Sequence, residues 1–237
     1  MKNFHSPIIF YLGLLPLTVF FSLVSVLILP LPRPTRYKII TGWAYSCLKW
    51  LNMTCKLTWQ VEGLENIPEE AGVILCKHQS AWETISLQLI FPKQSQVLKK
   101  ELLWIPFFGW GLASLNPIAI DRKSGIKSLK TVLKKGEDRI SGGWWVLIFP
   151  EGTRIPVGEQ GTYKQTGAAL ASRLDCPLIP VAHNAGVFWP RKSLKKNRGT
   201  IRVIIGKPIS TNGKTTKEIT EEAQEWIEKT CRKLPLS

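Results

Sequence analysis

The chain has 237 residues, 44% of them hydrophobic, which is room for one α/β domain with a sizeable core and a short appendage. A formal net charge of +15 calls for an acidic partner, whether anionic lipid headgroups, a phosphorylated substrate or nucleic acid. Five cysteines without a C-x-x-C pair argue against a disulfide framework or zinc site, three histidines argue against a His-rich metal centre, and ten tryptophans suit a membrane interface.

From Pro7 to Pro32 no side chain is charged, a run long enough to cross a bilayer. It is too long for the apolar region of a cleaved signal peptide, and no small-x-small site follows it. Pro16 in its middle leaves two dispositions open: a full crossing, or a kinked entry into one leaflet with the chain returning along the surface. Arg33, Arg36 and Lys38 follow the run and only Lys2 precedes it, which by the positive-inside tendency puts the main domain in the cytoplasm. Between Tyr37 and Leu57, the residues Ile39, Ile40, Trp43, Ala44, Cys47, Leu48, Trp50 and Leu51 recur at helical spacing, with Lys38, Lys49 and Lys56 among them. The pattern predicts an interfacial helix with tryptophan anchors; the competing reading is an ordinary core-facing helix. Residues 1–58 are therefore expected to be a membrane-anchoring helical segment and 59–237 an α/β domain.

From Trp59 onward strands and helices alternate. The expected strands are Val73–Cys76, Ser95–Leu98, Pro117–Ile120, Trp144–Phe149, Leu178–Ala182 and Ile201–Ile205. Ser124 to Ile140 is expected to be a helix with Ile126, Leu129, Leu133 and Ile140 inward and Lys123, Lys127, Lys130 and Lys134 outward. Tyr163 to Leu174 is a second, Ala-rich helix, and a capping box at Thr215-Thr216-Lys217-Glu218 opens the last one. The alternation predicts a mostly parallel sheet flanked by helices.

The stretch Lys77-His78-Gln79-Ser80-Ala81-Trp82-Glu83 lies between a buried strand and a helix, on the sheet edge where α/β proteins bind ligands. A neutral His78 there can take a proton from a hydroxyl if Glu83 holds its other nitrogen. The same letters also read as a capping box, with Ser80 as N-cap and Glu83 reaching back to a backbone N–H.

Further along, Lys99-Lys100 ends one strand and Asp121-Arg122 ends another, so that Lys100 and Arg122 can each meet a phosphate. The aromatic-rich run Leu103 to Leu112 between them can line an acyl channel, face a membrane or fill the core. Phe149-Pro150-Glu151-Gly152-Thr153-Arg154 follows an apolar strand; Gly152 permits a tight turn, and Arg154 with the Thr153 hydroxyl and backbone donors makes a phosphate clamp, against the alternative of a surface Glu–Arg pair. His183 can be a second base or a structural histidine, and Cys76 a nucleophile beside His78 or simple packing. Arg191 to Lys207 carries seven basic residues and no acid, a patch for a membrane or an acidic carrier, or a solvated loop.

Together these segments resemble the glycerolipid acyltransferase family over roughly residues 60–210. His78 to Glu83 is similar to the family's His-x4-Asp motif, with Glu83 placing the carboxylate one methylene further out. Ile118 to Arg122 is similar to its second motif, an apolar stretch ending in Asp-Arg. Phe149 to Arg154 match its third, Phe-Pro-Glu-Gly-Thr-Arg, letter for letter, and Leu178-Ile179-Pro180-Val181 its fourth. The resemblance implies acyl transfer from acyl-carrier protein or acyl-coenzyme A to the sn-2 hydroxyl of 1-acyl-glycerol-3-phosphate, giving phosphatidic acid. It implies His78 as general base, Glu83 as its orienting carboxylate, and Lys100, Arg122, Glu151, Gly152, Thr153 and Arg154 as the substrate-binding set. No metal and no cofactor beyond the thioester co-substrate is expected. The competing functions are transfer to another lysophospholipid or a lipid amine, hydrolysis of the thioester, and non-catalytic membrane binding. Nucleic-acid binding fits poorly with the membrane segment and the absence of a recognised motif.

Overall fold

The computed structural model describes residues 5–236; Lys2, which bears on the membrane orientation, lies outside them. Helix α1 (His5–Leu27) runs without a break through Pro16, and after a short turn α2 (Arg33–Cys55) returns beside it. Trp50 Nε1 donates to the Phe10 carbonyl and Trp43 Nε1 to the Thr18 hydroxyl, both at 3.1 Å. The partner number falls in α2 as it rises in α1, so the helices are antiparallel.

A proline in the first turn of α2, where the missing N–H breaks no bond, starts the helix, and Lys56 in the left-handed conformation ends it. Tyr37, Ile40, Ala44, Cys47, Leu48, Leu51 and Cys55 form its buried face at three- and four-residue steps. Ala44 to Cys55 of that face join the core beneath the sheet, and Tyr37 and Ile40 pack with Leu115 and Trp144. The core-facing reading of α2 therefore replaces the expected interfacial helix: its tryptophans aim their N–H groups at α1 rather than at headgroups. The outer face of α1 keeps Leu12, Leu15, Phe20, Leu23 and Leu27 exposed.

Among the described residues the strands are β1 (Leu57–Glu62), β2 (Val73–Cys76), β3 (Gln94–Lys99), β4 (Ile118–Ile120), β5 (Trp145–Ile148), β6 (Leu178–His183) and β7 (Gly199–Ile205). They form one sheet in the order β1-β7-β6-β2-β5-β3-β4. Neighbours from β6 through β4 are all parallel, β7 is antiparallel to β6, and β1 runs parallel with β7. The central strands β2 and β5 are buried throughout, as continuous apolar runs covered on both faces must be. Strand β1 is absent from the sequence reading. It lies at the sheet edge, and Leu57, Trp59 and Val61 alternate with Thr58, Gln60 and Glu62, a period-two signal that the neighbouring helix pattern hides.

Helices α3 (Trp82–Ile90), α4 (Phe108–Ser114) and the short α7 (Ala185–Phe188) join α1 and α2 on one side of the sheet. The other side is covered by α5 (Gly125–Ser141), α6 (Thr166–Leu174) and α8 (Thr216–Lys233). In α5 the inward face is Val132, Leu133, Gly136 and Ile140, whereas Ile126, expected inside, is 73% exposed in the first turn. The capping box of α8 is complete: Thr215 Oγ1 accepts the Glu218 N–H and Glu218 accepts the Thr215 N–H. Because β2 to β6 share one direction, the turns carrying His78, Lys100, Arg122, Glu151–Arg154 and His183 emerge at a single sheet edge.

Candidate active site

The turn between β2 and α3 carries His78, and the first turn of α3 carries Glu83, which is fully buried. One Glu83 oxygen, Oε1, lies 2.9 Å from His78 Nδ1 and accepts the backbone N–H groups of Gln79 at 2.9 Å and Ser80 at 2.7 Å. The two readings of this stretch are thus one arrangement: the carboxylate that reaches back to the helix start also holds the imidazole. Ser80 itself is not the N-cap. Its hydroxyl accepts the Trp82 N–H at 3.2 Å and donates to the Trp189 carbonyl at 2.7 Å, fastening the turn to the α7 region.

Burial pushes the Glu83 carboxyl up, but the imidazoles of His183 and His78 and the Ser80 N–H outweigh it and hold its pKa below the ordinary value. An ionised Glu83 accepts the hydrogen bond of His78 Nδ1–H, which keeps the proton on Nδ1 and leaves the lone pair on Nε2. The Phe149 ring stacks on the imidazole, centroids 4.1 Å apart and planes 21° from parallel, and fixes the ring plane.

His183 is committed elsewhere. Its Nδ1 accepts the Ala185 N–H at 3.1 Å, so Nε2 carries the proton and donates to the Lys77 carbonyl at 2.8 Å. Burial pulls its pKa down, against the pull of the Glu83 carboxylate. Of its two readings the structural one holds. Cys76 is buried, with its thiol pushed well up by that burial, which closes the nucleophile reading.

The loop after β5 is stitched to the His78 turn from both ends. Glu151 Oε1 accepts the His78 N–H at 3.4 Å, and the Ile155 N–H donates to the His78 carbonyl at 2.8 Å. Gly152 sits at φ 66°, a left-handed turn that a side chain would strain. Glu151 is buried, and that burial lifts its pKa to about 7 against the pull of the Lys77 ammonium 3.5 Å away. Lys77 itself is fully buried and pairs with Glu228 of α8 at 2.6 Å. A surface pair is worth ~0–1 kcal/mol, whereas desolvating a charge costs several. The fold tolerates this ammonium only because matched acceptors meet it.

His78, Arg122 and Arg154 line one cavity of about 330 Å³. The guanidinium Nε of Arg154 is buried without a hydrogen-bond partner among the described residues. Partial burial, and then the positive charge of Arg154, pull the Arg122 pKa below its ordinary value, although Glu101 works against them. Two guanidiniums that repel each other at a cavity wall make a seat for an anion. Most of the remaining lining is apolar: Leu14 and Phe21 from α1, Ile40 and Trp43 from α2, and Phe108 and Leu112 from α4.

The Acyltransferase family model matches residues 58–184. The chain is 43% identical over 96% of its length to a 1-acyl-sn-glycerol-3-phosphate acyltransferase of Pseudomonas aeruginosa, covering 90% of that protein. The chain belongs to the acyltransferase family. A Saccharomyces cerevisiae protein with the same name is 33% identical over 70% of this chain and 56% of its own length. The crystal structure of the 1-acyl-sn-glycerophosphate acyltransferase PlsC from Thermotoga maritima superimposes with a TM-score of 0.79 at 21% identity, over 98% of this chain and 97% of that one, which shows a common fold.

Within this acyltransferase, His78, Glu83, Glu151, Gly152, Arg122 and Arg154 come together at the cavity or directly behind it. Two of the expected residues stand apart. Lys100 Nζ is 2.7 Å from Asp121 Oδ2 and does not line the cavity, and Thr153 is exposed beside Arg154. Sequence reasoning missed Lys77, Phe149 and Trp189 as parts of the site. Phe149 opens a motif whose turn glycine and polar side chains carry the sequence argument; Lys77 abuts His78, but its partner lies in α8 and no local spacing announces it. Among the described residues, no group of three or more His, Cys, Asp or Glu could hold a metal ion.

Proposed function

We propose that this acyltransferase moves a fatty acyl group from a thioester, on acyl-carrier protein or coenzyme A, to the sn-2 hydroxyl of 1-acyl-glycerol-3-phosphate and yields phosphatidic acid. The observation that carries the reading is the single cavity shared by an oriented imidazole, two guanidiniums and an apolar wall. The names of the Pseudomonas aeruginosa and Saccharomyces cerevisiae relatives support the same acceptor.

His78 Nε2 takes the proton of the acceptor hydroxyl as its oxygen attacks the thioester carbon. Glu83 holds the tautomer and stabilises the imidazolium that forms. When the tetrahedral intermediate collapses, the carbon–sulfur bond breaks and the imidazolium returns its proton to the departing thiolate. The free thiol and phosphatidic acid leave. No covalent acyl-enzyme and no cofactor other than the thioester co-substrate enters this scheme.

Arg154 and Arg122 grip the glycerol phosphate. Gly152 lets the loop approach closely, Glu151 anchors it, Thr153 adjoins the grip from the rim, and Lys100, through Asp121, steadies the segment bearing Arg122. An acyl chain lies against the apolar wall. The exposed face of α1, with the exposed Trp104 and Trp110 near α4, beds into the membrane, so that residues 1–58 act as the anchoring segment and 59–237 as the acyltransferase domain. The basic balance then suits an anionic cytoplasmic leaflet and an acidic donor, and nucleic acid is not a partner.

The test is an acyl-transfer assay on purified protein with lysophosphatidate and each donor in turn, wild type against His78→Ala. Turnover that is lost in the variant supports the reading. Equal turnover by the two proteins would remove it.

A further inference from the structure

We propose that Lys77, Glu228 and Tyr163 form a buried positioning unit through which the last helix, α8, holds the Arg154-bearing loop in register with the His78 turn. The inference rests on the acceptor reading above and extends it to Glu228, which lies outside the matched segment 58–184.

Lys77 is the residue before His78 and is fully buried. Its ammonium has three donors, and three acceptors from two segments face it: Glu228 Oε1 in α8 at 2.6 Å, and in the loop after β5 the Glu159 carbonyl at 3.2 Å and Glu151 Oε1 at 3.5 Å. The Tyr163 hydroxyl donates to the same Glu228 oxygen at 3.0 Å. The backbone of Lys77 is held as well, its N–H by the Val181 carbonyl at 3.1 Å and its carbonyl by His183 at 2.8 Å. Arg154 stands between Glu151 and Glu159 in the chain, and both of those residues end on this one ammonium.

None of the three side chains lines the cavity. They act through the loop they fix. A buried ion pair is a poor source of stability compared with packed apolar groups of the same size, and its attested use is to select one register. Here the register is the placement of a guanidinium relative to an imidazole. Arg154 grips the phosphate alike in ground and transition states, so loosening it raises KM for the acceptor more than it lowers kcat.

The experiment uses full-length enzyme in detergent. Glu228→Gln keeps the shape and the acceptor oxygen but removes the charge, and it is expected to raise KM for lysophosphatidate by about 5- to 20-fold while KM for the acyl donor stays within about 2-fold. A second variant, Lys77→Met with Glu228→Leu, replaces the pair by apolar groups and is expected to melt at or above the wild-type temperature yet show the same rise in acceptor KM. A purely structural pair predicts the opposite for this double variant: wild-type constants once stability is retained, a result that would overturn the proposal even if Glu228→Gln failed to fold. Wild-type enzyme inert toward lysophosphatidate would overturn the acceptor reading itself. Normal wild-type turnover with unchanged acceptor KM in both variants would overturn the positioning role alone.

Discussion

Glu83 Oε1 stands 2.9 Å from His78 Nδ1 and also accepts the backbone amides of Gln79 and Ser80. One buried oxygen therefore sets both the backbone of the turn and the tautomer of the ring it presents. Loss of the base should be the largest single effect in the site: His78→Ala is expected to lower kcat/KM by at least ~100-fold with an unchanged circular dichroism spectrum.

Glu83 variants separate the two duties of that oxygen. Glu83→Gln removes the charge that stabilises an imidazolium and puts a weaker acceptor before two amides, so both turnover and melting temperature should drop, turnover by about 10- to 100-fold. Glu83→Asp keeps the charge but draws it one methylene back, and a loss of roughly 2- to 10-fold is expected. Wild-type kinetics from Glu83→Gln would contradict the orienting role.

Arg154 is judged by its fork. Arg154→Lys keeps the charge but loses the planar pair of donors, and KM for lysophosphatidate should rise about 10-fold with a smaller change in kcat. Arg122→Ala should act in the same direction, and inorganic phosphate should compete with the acceptor less well in either variant than in wild type. Competition unchanged in both would place the anion elsewhere.

Glu151 makes stability depend on pH. Burial lifts its pKa from 4.5 to about 7, so the folded chain binds this proton more tightly than the unfolded one. The resulting stabilisation is complete below the unfolded value and is lost as pH rises through the folded one. The melting temperature of wild type should therefore fall relative to that of Glu151→Gln between about pH 5 and about pH 8. Parallel melting curves across that window would show that the carboxyl is ionised throughout.

Gly111 of α4 lines the cavity, and a Cβ built there meets only Ser22 Oγ, at 3.7 Å. A larger side chain has room to enter, and it enters the space assigned to the acyl chain. Gly111→Leu should retain transfer from short-chain thioesters and lose long-chain transfer by about 10-fold, since each buried methylene is worth roughly 0.8 kcal/mol. An unchanged chain-length profile would mean that the chain lies elsewhere.

Most of the sheet is legible in the letters because its inner strands are short, unbroken apolar runs such as Val73–Cys76 and Trp145–Ile148, bounded by turn residues. Strand β1 is not, because an edge strand alternates and follows directly on a helix with its own apolar rhythm. The role of α2 is hidden for a related reason. A stripe of Ile, Leu and Trp has the same spacing whether it meets lipid or protein, and only the sheet beneath it decides. The histidine, the carboxylate and the arginines carry local motifs and can be found one stretch at a time. The Lys77–Glu228 pair spans 151 residues, and a contact made by folding leaves no spacing to read.

Leu14, Thr18, Phe21 and Ser22 put α1 into the wall of the very compartment that holds His78. Trimming this helix away to obtain a water-soluble version would tear open the chamber along one side. Under the proposed function, anchorage and substrate containment fall to the same stretch of chain, and neither cloning nor limited proteolysis would separate them.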